Sequence, residues 1–90
     1  MGNWFSRLFA GKPQLTLEEK QQRLKSIEQR MVSALLAFNQ EEMLRCGNEL
    51  IELAPDQAFG WETKIKALEK LGRQAEANAT RQQALRAVAK

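Results

Sequence analysis

The sequence predicts an all-α fold: two antiparallel helical hairpins behind a short N-terminal amphipathic helix. Three observations lead there. Apolar residues recur at spacings of three and four, as in Leu24, Ile27, Met31 and Ala34, which is the helical period. Helix start and stop residues stand at regular intervals: Thr16 with Glu19, Asn39 with Glu42, then Pro55 and Gly72. No stretch alternates as a strand would, and no Asn-Gly or Asp-Gly pair offers a hairpin turn. Helix content should therefore stand far above the usual third of a chain.

The elements follow in order. Gly11-Lys12-Pro13 separates residues 1–13, an amphipathic segment and its linker, from a helical domain over residues 14–90. Thr16-Leu17-Glu18-Glu19 is a capping box: the Thr16 hydroxyl accepts from the Glu19 N–H and the Glu19 carboxylate returns to the Thr16 N–H. The helix starting there carries Leu24, Ile27, Met31, Ala34, Leu35 and Phe38 on one stripe toward a core and should end near Phe38. Asn39 caps the next helix with Glu42 three residues on. Its apolar positions are Met43, Leu50, Ile51, Leu53 and Ala54. Pro55 stops it, because the residue before a proline avoids helical angles. Asp56 is the expected cap of the third helix, with Ala58, Trp61, Ile65 and Leu68 as its stripe. Gly72 suits the left-handed position past a helix end. A last, Ala-rich helix over about Gln74 to Val88 should turn Ala77, Ala84, Leu85 and Val88 inward.

Composition narrows the function classes. Ninety residues make one small domain of modest stability. There is no His, so the commonest general base and metal ligand is missing. The single Cys46 excludes an internal disulfide and a cysteine-based zinc site, and a reducing compartment is the natural setting. No run of about 20 apolar residues exists to span a bilayer. The net charge is +3. Residues 1–17 hold Arg7 and Lys12 and no acid, and residues 77–90 hold Arg81, Arg86 and Lys90 and no acid. The C-terminal cations suit a helix end. Nucleic-acid binding would need a denser basic stripe interleaved with aromatics, so nucleic acid is not expected as a partner.

No catalytic arrangement can be assembled. Glu18/Glu19 and Glu41/Glu42 sit in first helical turns, where acids complement the helix dipole. Glu62 and Lys66 are spaced for an i,i+4 ion pair. Cys46 reads as a small packing residue rather than a nucleophile. No cofactor or metal is expected, and no enzyme.

The stretch from Pro55 to Val88 has a further pattern: Trp61, Leu68, Leu71, Gly72, Ala77, Ala84 and Leu85, with Pro55 closing the unit before. It resembles a tetratricopeptide (TPR) repeat, a helix-turn-helix unit of about 34 residues. One good unit spans about 56–88. A degenerate one spans about 24–55, with Ile27 in the Trp place, Met31 in a small-residue place and Phe38 in the Gly place. The better unit also departs from the pattern: Lys64-Ile65 replaces Leu-Gly, and Arg73 replaces the polar cap. TPR proteins bind other proteins and do no chemistry themselves. The resemblance implies a groove on the first helix of each unit: Phe59, Glu62, Lys66 and Glu69 in the better one, and Lys25, Glu28, Val32 and Leu35 in the poorer. Such a mixed surface suits a helix or extended segment of another protein. Two units are few for stability, so the N-terminal segment, a second copy or another protein should cover an open end.

Residues 1–12 read MGNWFSRLFAGK. On a helical wheel Trp4, Phe5, Leu8 and Phe9 fall within an arc of about 140°, with Arg7 outside it. Three of the six aromatics of the chain lie in this piece. A short cationic helix with bulky aromatics resembles an interfacial membrane anchor. Two other roles fit the same residues: a cap on the open end of the core, or a peptide that docks in a groove of another protein. Gly2 and Ser6 also fit the N-myristoylation pattern. The leading expectation is an adaptor, cytoplasmic and peripheral on the cytoplasmic face of a membrane, held there by this segment. The alternative is a soluble chaperone-like or structural subunit whose N-terminal segment packs against a partner or a second copy.

Overall fold

The computed structural model describes residues 15–88, which form helices joined by short turns, with no strand among them. Four helices follow one another: α1 (Leu17–Leu36), α2 (Gln40–Leu53), α3 (Ala58–Lys70) and α4 (Gln74–Val88). Each packs on the next in sequence, α1 on α2, α2 on α3 and α3 on α4, with the central α2/α3 interface the most extensive. The N-terminal segment, including Gly2, Trp4, Phe5, Arg7, Leu8 and Phe9, lies outside the described residues.

Local chemistry sets the helix starts. The capping box closes at α1, with Glu19 N–H donating to Thr16 Oγ1 at 3.1 Å and Thr16 N–H donating to Glu19 Oε1 at 2.9 Å. That donation to its carboxylate holds Glu19 below the usual carboxylate range. At α2 only half of the expected box forms. Asn39 Oδ1 accepts from Glu42 N–H at 3.1 Å, but the Glu42 carboxylate turns to Arg30 and Arg45 instead. The Asn39 N–H is already used, donating to Ala34 O at 2.8 Å. Asp56 does not cap α3. Gln57 takes that position in an extended conformation with no side-chain cap bond, because the turn after Pro55 runs one residue longer than the proline suggests. This end is held from the other side, by Trp61 Nε1 donating to Pro55 O at 2.7 Å.

The two hairpin turns are built alike, 34 residues apart. Phe38 has φ 53° and Gly72 has φ 78°. In the first turn Asn39 N–H donates to Ala34 O and Phe38 N–H to Leu35 O; in the second Arg73 N–H donates to Leu68 O and Gly72 N–H to Glu69 O. Both are Schellman closures, with the left-handed residue just past the helix end. Gly72 takes that conformation without cost, whereas Phe38 crowds its own Cβ against the backbone.

The core lies between consecutive helices: Ile27, Cys46 and Leu50, then Trp61, Ala67, Leu68 and Ala77 are buried. Cys46 is a packing residue as expected, and burial pushes its thiol pKa up. Two glycines bring α2 and α3 close. A Cβ on Gly47 would stand 2.8 Å from the Lys64 backbone nitrogen, and one on Gly60 would stand 2.9 Å from that of Ile51. Buried Thr63 and Thr80 return their hydroxyls to Phe59 O and Glu76 O, so neither brings an unsatisfied group inside.

Several expected core positions face water. α1 ends at Leu36, and Leu24, Leu35 and Phe38 are exposed. Ala58 and Leu85 are exposed as well. For Leu24, Leu35 and Leu85 the reason is common: among the described residues α1 packs only on α2 and α4 only on α3, so part of each terminal stripe has no described helix to cover it. Ala58 is the first residue of α3.

Candidate functional site: an apolar cleft between the first and third helices

Because α1 and α3 do not pack directly, a cleft opens between them over the end of α2. Its volume is about 360 Å³. Leu17 and Leu24 of α1 form one wall, Leu50, Leu53 and Ala54 the floor, and Phe59 with Gly60 of α3 the other wall. Lys20, Gln21 and Gln57 supply the polar edge, and no acid lines it. Leu17 is 73% exposed and Phe59 52%, a large apolar exposure for neighbouring side chains.

The groove positions that the TPR resemblance implies on α3 lie on a face that meets this cleft at Phe59. Phe59, Glu62, Lys66 and Glu69 stand three or four residues apart, on the side of α3 opposite buried Trp61 and Leu68. Glu62 and Lys66 are exposed and the ion pair expected between them does not close; Glu69 pairs instead with Arg81 of α4. Of these four only Phe59 lines the cleft. On α1, Lys25, Glu28, Val32 and Leu35 are all exposed, yet only Leu24 and residues N-terminal to it line the cleft. The sequence pattern missed Leu17 as part of this wall. Its seven-residue spacing to Leu24, which keeps both on one face of a helix, is the signal that marks it.

The electrostatics lie elsewhere. Arg30 of α1 donates to Glu42 Oε2 at 3.0 Å and to Glu49 Oε1 at 2.8 Å. These bonds raise the Arg30 pKa, and the same guanidinium lowers that of Glu42. Arg73 and Glu76 form a second pair at the start of α4 through bonds of 2.7 and 2.8 Å, raising the former and lowering the latter. These are partly exposed pairs that join helices or cap turns, remote from the cleft. Among the described residues no group of three His, Cys, Asp or Glu side chains is placed to hold a metal ion. Nor is any described helix long and apolar enough to cross a membrane.

No protein-family model, curated protein or solved structure matches this chain.

Proposed function

We propose that this chain is a non-catalytic protein-interaction module of the TPR type, which takes an amphipathic segment of another protein along the α1/α3 face. One observation carries the reading: an apolar cleft walled by Leu17, Leu24 and Phe59, beside the exposed charges Glu62 and Lys66. Apolar anchors on one side of a helical ligand would enter the cleft, and its charged residues would meet the α3 face. The equal construction of the two turns, 34 residues apart, supports the repeat reading. So does the consecutive packing of the helices. Residues 1–12 extend the proposal: their cationic, aromatic sequence suits a membrane surface, which would make the module a peripheral adaptor. Acylation of Gly2 would supply a second anchor.

The interaction is tested by selecting peptides from a displayed random library on the full chain. Selected peptides should share apolar residues at helical spacing, and their affinity should fall at least tenfold on Leu24→Ser with Phe59→Ser. Peptides of no common pattern, or undiminished binding to that variant, would remove the cleft as the site. Co-sedimentation of the full chain with anionic phospholipid vesicles, beside a chain lacking residues 1–12, tests the tether. Loss of vesicle binding with the truncation is the expected result.

A further inference from the structure

We propose that the α1/α3 cleft has an occupant within the same chain: residues 4–9, with Trp4, Phe5, Leu8 and Phe9 inserted and Arg7 left in water. The claim concerns the chain free in solution and does not depend on the membrane reading.

The position of the cleft favours this segment over other ligands. Leu17 is both the first residue of α1 and part of the cleft wall, so the chain enters the fold at the cleft edge. Leu24, on the same wall, lies only about 10 Å further along the helix at 1.5 Å per residue. Residues 10–16 join Phe9 to that point and reach roughly 25 Å when extended, more than enough to double back. Gly11 and Pro13 lie within this stretch, where a reversal of direction is easily built. A segment tethered at such a distance is present at millimolar effective concentration, so a free ligand of equal chemistry would have to compete with it.

The chemistry agrees. The cleft is lined almost wholly by apolar groups, with Lys20 at its edge and no acid. It offers nothing to pair with Arg7 and everything to an aromatic side chain. Among the described residues that line it Phe59 is the one aromatic, while the segment holds three of the six in the chain. Exposed Leu17, Leu24 and Phe59 would then lose much of their contact with water.

The test is methyl-resolved NMR of the full, unaltered chain without lipid. Nuclear Overhauser contacts should join the Trp4 indole to methyl groups of Leu17, Leu24 or Leu53, at an intensity independent of protein concentration from 0.05 to 0.5 mM. Trp4→Ala with Phe9→Ala should shift those methyl resonances by at least 0.1 ppm while leaving that of Ala77, in the buried α3/α4 interface, in place. Absence of the contacts, with the leucine methyls unmoved by the substitutions, would overturn the docking even if vesicle binding were intact. Contacts between differently labelled copies that grow with concentration would overturn it too, in favour of a second chain as occupant. Contacts within one chain but no vesicle binding would uphold the docking and remove the tether alone.

Discussion

Gly60 and Phe38 show two opposite ways a single residue can be out of step with its backbone. Gly60 sits inside a helix, where glycine costs about 1 kcal/mol relative to alanine, so Gly60→Ala should stabilise if space allows. Space does not allow: the added Cβ would stand 2.9 Å from both Ile51 N and Leu50 Cβ, and backbone atoms cannot rotate aside. Pushing helices apart costs roughly 1–3 kcal/mol, which outweighs the propensity gain. Urea unfolding should therefore show Gly60→Ala less stable than the parent by about 1 kcal/mol, and an unchanged or higher midpoint would mean that α2 and α3 separate freely. Phe38 is the reverse case. It is 85% exposed and gains little from burial, while φ of 53° costs a residue with a Cβ about 1–2 kcal/mol. Phe38→Gly removes that cost and adds part of it back as freedom of the unfolded chain. A net gain of up to about 1 kcal/mol is expected in the same measurement, and a loss would show that Phe38 makes contacts that stabilise the fold.

Between elements, the Arg30 bridge fastens α1 to α2. It also makes a pH dependence. Glu42 has its pKa lowered by the Arg30 guanidinium, Glu19 by the Thr16 N–H and Glu76 by Arg73. A carboxylate whose folded pKa lies below its unfolded value, about 4.3, stabilises the fold fully above that value and loses the contribution as pH falls through the folded pKa. All three act in the same direction. The urea midpoint should hold level from neutral pH to about 5 and fall toward pH 3, and Glu42→Gln should both lower the neutral plateau and make the fall shallower. A fall of equal depth in that variant would assign the acid sensitivity to other groups. The bridge also shows what sequence could and could not give at this scale. Helix limits were legible because their causes are local: Thr16, Asn39, Pro55 and Gly72 act within a few residues of themselves, and α4 starts at Gln74 as expected. The Arg30 partner of Glu42 was not legible, since it lies twelve residues away on another helix. Sidedness failed for a related reason. A helical period locates the apolar stripe of α1 but not which part of it a neighbour will cover, so Leu24 and Leu35 were expected inside. Phe59 was legible on α3 only through the TPR resemblance. The spacing of Leu17 to Leu24 is legible, but that both line one cleft with a floor from α2 depends on how two hairpins stack.

For the molecule as a whole, the decisive property is that packing is consecutive. Among the described residues α2 and α3 each have a helix on two sides, whereas α1 and α4 have one. Stability in such an array is close to a sum of neighbouring interfaces, so a terminal helix can open by breaking one interface while a central helix must break two. The central interface is also a close one, through Gly47 and Gly60, and buried Leu50 lies against Gly60 in it. α4 contributes only Ala77 and Thr80 as buried residues, and burial of an alanine stabilises far less than burial of a leucine. Native-state hydrogen exchange should therefore grade along the chain. Amides of α2 and α3 should exchange slowest, near the limit set by global unfolding. Those in the second half of α4 should exchange fastest among the helices, by at least tenfold. α1 separates two further cases. If its exposed Leu17 and Leu24 stay bare, its first two turns should exchange as fast as the end of α4. If the cleft is covered by residues 4–9, those turns should be protected in the full chain and lose that protection on Trp4→Ala with Phe9→Ala. Uniform exchange across all four helices would instead mean that the hairpins unfold as one unit, and that consecutive packing does not govern the stability of this chain.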